Sequence, residues 1–196
     1  MGEIKSAAEI AREKLAKIGE PTEAERLGWK YGPEGEKLAA RYIKGEGNLE
    51  AEVKKYDDKA REFVTGSAGT ILMRNIALPL TDIARKNNKK VMDGIRVLKK
   101  DKTAVEDVLG KIQHVLDYYT QHSKEQEKQA YESLKAEFTA KVQQALRQQT
   151  GSSAKVNIDI ENQPQFQEEW LRLQSQLDQQ YTQHLDEYKQ ELAQID

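Results

Sequence analysis

Along most of this chain apolar residues recur at alternating steps of four and three, the spacing that lines one narrow face of an α-helix. In residues 3–18 the pattern falls on Ile4, Ala8, Ala11, Leu15 and Ile18. It marks a heptad seam that needs a helical partner, and Gly19 and Pro21 end it. Thr22 and Glu25 form a capping-box pair opening a short segment towards Trp29, after which GWKYGPEGE reads as a turn-rich connector. Helical spacing resumes at Leu38, Tyr42 and Ile43, breaks at GEGN, and continues through Leu49, Val53, Tyr56, Ala60 and Phe63. GSAGT (66–70) reads as a breaker and Pro79 as a boundary. Residues 81–100 then predict a basic helix with Ile83, Val91, Ile95 and Leu98 turned inward.

The second half differs in kind. From a capping box at Thr103 and Glu106 to about Gln149 there is no proline and no turn cluster, which predicts one long helix. Its apolar positions run Val105, Val108, Ile112, Val115, Tyr119, then Tyr131, Leu134, Phe138, Val142, Ala145. Between these sets TQHSKEQEKQ has no apolar residue, so a kink or break is expected there. AKVNIDIENQP alternates like a strand, with Val156, Ile158 and Ile160 on one side. No second strand offers itself, so the segment is expected to link two helices. Its branched residues would then tuck against those helices or pair with the same segment of another subunit. Asn162 is the expected cap and Pro164 the first turn of a last long helix. Its stripe is Trp170, Leu173, Leu177, Tyr181, His184, Tyr188, Leu192 and Ile195.

The expected fold is therefore all-α and elongated. Short helices occupy residues 1–101, and two long helices occupy 102–196 around a connector at 150–164, forming a hairpin or an extended coiled-coil-like arm. Composition agrees with helices that bury narrow stripes: 37% of the 196 residues are hydrophobic and 33% charged. The absence of cysteine excludes disulfides, thiolate nucleophiles and Cys-based metal sites, and points to a reducing, cytoplasmic setting. No apolar run approaches the roughly 18 residues of a membrane span, and a net charge of −2 gives no global pull towards nucleic acid or anionic lipid.

Chemistry-bearing motifs are scarce. His114 and His122 sit eight residues apart, about 12 Å along one helix and too far to share a metal, and neither Glu-x-x-His nor HExxH occurs. GSAGT lacks the lysine and hydroxyl of a phosphate loop, and no GxSxG elbow is present. No catalytic residue, cofactor or metal is expected. Charge is the strongest regional signal: Arg85, Lys86, Lys89, Lys90, Arg96, Lys99, Lys100 and Lys102 face only Asp93 and Asp101, whereas residues 151–196 carry nine carboxylates against Lys155, Arg172 and Lys189. The basic helix suits an acidic partner, which the chain's own C-terminal helix could supply, better than phosphates; no aromatic residues interleave it.

MGEIKSAAEIAREKLAKIGE, GPEGEKLAARY, YESLKAEFTAKVQQAL and NQPQFQEEW together resemble a small family of uncharacterised bacterial proteins known only as a domain of unknown function. The resemblance implies a bacterial cytoplasmic protein and brings no activity or ligand. The expected function is that of a non-enzymatic structural or adaptor protein, a homo-oligomer or partner of another protein. Its interface residues would be Ile4, Ala8, Ala11, Leu15, Ile18, Val156, Ile158, Ile160, Trp170, Leu173, Leu177, Tyr181 and Tyr188. The alternative is nucleic-acid or ribonucleoprotein binding through residues 85–102, and a further one is a helical-bundle enzyme or metal carrier.

Overall fold

The computed structural model describes residue 6, residues 20–150 and residues 159–196, with side chains to residue 148 and from 159 onward. These residues form an all-α protein with six helices and no strand among them: α1 (Glu23–Lys44), α2 (Leu49–Val53), α3 (Asp58–Arg74), α4 (Asp82–Leu98), α5 (Lys102–Thr150) and α6 (Pro164–Ala193). The expected seam residues Ile4, Ala8, Ala11, Leu15 and Ile18, and Val156 and Ile158 of the connector, lie outside the described residues. The chain divides into two compact units, Met1–Leu72 and Met73–Asp196. The sequence boundary at 101/102 falls inside the second, which holds the basic helix together with both long ones.

In the first unit α1 opens on the expected capping box. The Glu25 amide donates to Thr22 Oγ1 (3.2 Å), and the Thr22 amide donates to Glu25 Oε2 (2.7 Å). GWKYGPEGE proves not to be a connector: it lies inside α1, Pro33 included. Gly28, Gly32 and Gly35 fall at i, i+4 and i+7, on one helical face, and that face meets α3. A Cβ added at Gly28 would touch Phe63 at 3.6 Å and one at Gly32 would touch Ser67 Oγ at 3.4 Å; at Gly35 it would overlap the Val64 carbonyl oxygen at 2.2 Å. These glycines permit close helix packing rather than a turn. GSAGT likewise lies inside α3, where Ala68 and Gly69 are buried. The break at GEGN is real: α1 ends on Gly45 in the left-handed region (φ 88°), Gly47 follows at φ 95°, and Asn48 caps α2 through the Ala51 amide (3.1 Å). Leu38, Ala39, Leu49, Val53, Ala60, Val64, Ala68 and Leu72 are buried.

In the second unit the loop after α3 is held by Asn88, the one buried polar side chain among the described residues. Its Oδ1 accepts from the Ala77 amide (3.1 Å) and its Nδ2 donates to the Ala77 carbonyl (2.7 Å), so one side chain satisfies both polar groups of one residue. α4 packs against α5, with Val91, Met92 and Ile95 buried on one and Val105, Val108, Leu109, Ile112 and Leu116 on the other. Ile83, expected inward, is 81% exposed because it stands beyond that face at the first turn. α5 starts from Asp101, whose Oδ1 receives the Ala104 amide (3.0 Å). Glu106 is instead paired with Arg96, so Thr103 and Glu106 do not form the expected box.

α5 runs 49 residues without interruption, about 74 Å at 1.5 Å per residue. The expected break at TQHSKEQEKQ is absent because α6 supplies polar partners: Tyr181 donates its hydroxyl to Gln126 Oε1 (2.6 Å), and just before this stretch Tyr119 donates to Asp178 Oδ1 (2.8 Å). Pro164 occupies the first turn of α6, as expected, but the cap residue is Gln163, without a side-chain cap bond. Asn162 turns its amide to Asp159 (2.6 Å) instead.

Candidate functional site: the α4–α5 cleft and the α5–α6 seam

Residues of α6, and Glu161 just before it, meet α5 along much of its length. Lys111 pairs with Glu191 (2.7 Å), Tyr119 with Asp178, Gln126 with Tyr181, Tyr131 with Trp170 (ring centroids 5.1 Å, near perpendicular), and Lys135 with Glu161. At the far end Leu134, Ile160 and Phe166 form a buried cluster on which Tyr131, Phe138, Trp170 and Leu173 pack, with Tyr131 and Phe138 edge-on to Phe166. Ile160, alone of the three branched connector residues described, therefore tucks against the helices it joins. Towards the other end the α6 stripe passes through Leu185, 1% exposed, rather than the expected His184, which is exposed and near Glu187 (3.4 Å). A 3.6-residue period drifts off a strict heptad, and Leu185 is the apolar neighbour the drift brings inward.

The seam is partly wet. Tyr119 is buried, and burial first, then its bond to Asp178, raises its hydroxyl pKa well above the ordinary value of 10. Glu161 is held below the usual carboxylate range by Lys135, with which it exchanges a hydrogen bond and opposite charge. Of the expected interface residues on α6, Trp170 and Leu173 belong to the cluster, Tyr181 stacks edge-on against Tyr119 (5.1 Å), and Lys111 sits over the Tyr188 ring (5.7 Å). All of them, and Leu177, remain half-exposed, and only Phe166, Leu185 and Leu192 of the 30 residues of α6 are buried.

The basic helix sorts into committed and available cations. Arg96 is locked between Glu106 (2.7 Å) and Asp93 (2.7 Å) and its guanidinium is held above its ordinary pKa by them, Glu106 foremost. Lys99 donates to the Ile195 carbonyl, and the Lys100 and Asp101 amides donate to Asp196 O (2.8 and 3.1 Å), so the end of this segment docks on residues following α6. Burial lowers the Lys99 pKa, with Asp196 opposing. Lys90 is half-buried. Arg85 has an exposed Asp82 at 3.3 Å, while Lys86 and Lys89 are exposed with no partner among the described residues. Arg85 and Lys89 border a cleft of about 490 Å³ between α4 and α5, whose walls also include Pro79, Met92, Leu116 and Asp117. Sequence reasoning singled out the cations but not this cleft, because its far wall comes from a different helix.

Among the described residues no three His, Asp or Glu side chains gather as a metal-binding group, and no helix is long and apolar enough to cross a membrane. What the fold defines is an all-α chain with a wet, aromatic-rich seam between two long helices. It belongs to the family of unknown function DUF6657, whose model matches residues 50–194. The matched span contains YESLKAEFTAKVQQAL and NQPQFQEEW, whereas MGEIKSAAEIAREKLAKIGE and GPEGEKLAARY precede it. No curated protein and no solved structure matches the chain.

Proposed function

We propose that this protein is a non-enzymatic helical scaffold or adaptor, working in the bacterial cytoplasm, that self-associates through its apolar seams, with residues 102–196 acting as a hairpin arm. The observation that carries the proposal is the incomplete cover of α6: Trp170, Leu173, Leu177, Tyr181 and Tyr188 stay half-exposed along a stripe that one neighbouring helix reaches only from one side. Leu171, 65% exposed, and Tyr118, 44% exposed, extend apolar surface beyond the seam on each long helix. A further helix laid along this stripe would remove that surface from water, at about 25 cal/mol per Å². The heptad seam of Ile4, Ala8, Ala11, Leu15 and Ile18 is the expected source of such a helix, from a second copy.

Size exclusion with light scattering tests this. An oligomer across micromolar concentrations is expected, and Leu15→Asp should shift it towards monomer while far-UV circular dichroism stays helical. A wild-type chain that remains monomeric throughout would end the proposal. Nucleic-acid binding through α4 is the competing reading. Its support is thinner than the sequence alone suggested, since Arg96 and Lys99 are occupied within the chain.

A further inference from the structure

We infer that self-association sets the first turns of α4 against the first turns of α6 in a second copy, antiparallel and reciprocally. This contact rests on the self-association proposed above and gives it a surface outside the α6 stripe. On α4, Asp82, Ile83 and Lys86 are exposed, and Lys86 stands four residues from Asp82 and three from Ile83, so the three share one face. On α6, Glu168, Leu171 and Arg172 are exposed and repeat that spacing in reverse, Glu168 standing three residues from Leu171 and four from Arg172. Ile83 is 81% exposed and Leu171 65%, so each face leaves one large aliphatic side chain mostly in water.

Laid antiparallel, the two faces match in charge and polarity. With Lys86 level with Glu168, Ile83 falls level with Leu171 and Asp82 with Arg172, while Arg85 and Glu169 come level beside them. Within one chain Arg85 pairs with Asp82 (3.3 Å) and Arg172 with Glu169, so each helix carries an ion pair that the other meets with opposite sign at both ends. Lys86 and Glu168 have no partner among the described residues and are the charges this contact satisfies. From Asp82 to Lys90, set against Arg172 to Pro164, no like charges fall level, so nothing in the register opposes it. The chain's own α6 is too far along to supply the contact. Arg85 and Lys89 line a cleft with Leu116 and Thr120, whereas Trp170 meets Tyr131, and from Thr120 to Tyr131 is about 16 Å along α5. A two-fold axis crossing α5 between those levels would bring α4 of each copy to α6 of the other, forming the contact twice in a closed dimer.

Sedimentation equilibrium on the full chain reads the dissociation constant. Lys86→Glu and Glu168→Lys each set like charges together at both contacts of the dimer and should weaken association about tenfold or more. Far-UV circular dichroism should stay unchanged, since both side chains are exposed. Mixed one to one, the two variants should associate within about threefold of the wild type, because each chain then meets the opposite charge in the other at both contacts. Neither misfolding nor a general charge effect gives that recovery. Lys100→Glu makes the same change at an exposed position outside both faces and should leave association within about twofold. A mixture no tighter than its components would overturn the contact, as would an oligomer indifferent to both variants; the response to Leu15→Asp would then still decide self-association itself. A wild-type chain that stays monomeric would end both, and its binding to phosphatidylglycerol vesicles, lost in Lys86→Glu, would make Ile83 and Lys86 a lipid contact instead.

Discussion

Replacing Gly35 and Gly110 by alanine, one at a time, separates a glycine that a helix tolerates from one that a fold requires. Both lie inside helices, so each substitution gains intrinsic helix propensity of about 1 kcal/mol. At Gly110, exposed and with nothing within 4 Å of the new methyl, that gain stands alone and the protein should become slightly more stable. At Gly35 the methyl would sit 2.2 Å from the Val64 carbonyl oxygen and 3.0 Å from Ser67 Cβ. The obstruction is helix backbone, which cannot swing aside as a side-chain tip can, so α1 and α3 must separate. Overpacking of this kind costs about 1–3 kcal/mol and sometimes more. With a backbone atom in the way we take about 3 kcal/mol, leaving a net loss of about 2 kcal/mol after the propensity gain. For a chain of this size that lowers Tm by roughly 4–8 °C, while Gly110→Ala should raise it by about 2–4 °C. Thermal and urea unfolding followed by far-UV circular dichroism measures both. Gly35→Ala as stable as the wild type, or two variants moving in the same direction, would refute close packing at Gly35.

Two further outcomes follow from the seam. Ile160→Ala removes the connector's anchor from the Leu134 and Phe166 cluster and should cost about 2 kcal/mol, the lower end for a buried isoleucine in a small cluster. In a Trp29→Phe background, where Trp29 is 66% exposed, the emission of Trp170 should shift to the red; an unchanged spectrum would detach Ile160 from the cluster. Tyr119 has a folded pKa above its unfolded value near 10, so its contribution is fully present below pH 10 and is lost as pH rises beyond it. Tyr119→Phe should therefore lower stability at neutral pH by about 1 kcal/mol and flatten its decline above pH 10, read from urea midpoints against pH; an unaltered alkaline slope would exclude Tyr119 as its source.

Local signals were legible where the deciding atoms lie within a few residues of one another. Thr22 with Glu25, the break at GEGN, Pro164 and the all-helical class all depend on short-range bonding and were readable from the sequence. Misreadings arose where a distant partner decides. Gly28, Gly32 and Gly35 look like turn chemistry until α3, some thirty residues further on, is laid across them. TQHSKEQEKQ looks like a solvated weak point until Tyr181 reaches Gln126 from α6. Asp101 took the cap expected of Thr103 because it stands two residues earlier with the same kind of oxygen acceptor. The cations of α4 and the residues after it were legible as candidates, but which of them are spent was not, since Ile195 and Asp196 are remote in the sequence and Glu106 was expected to pair with Thr103 instead.

Asn88 has a thermodynamic consequence for the loop that precedes its helix. Its amide is donor and acceptor at once, and it matches the amide and carbonyl of Ala77 as a second peptide unit would. Aspartate could not donate, and leucine could do neither. Two residues further on, Pro79 forms part of the cleft wall with its own backbone rotation fixed by the ring. The loop is thus ordered when the protein folds, held from α4 at Ala77 and by the fixed rotation of Pro79 two residues on, so the entropy it gives up is part of the cost of folding itself.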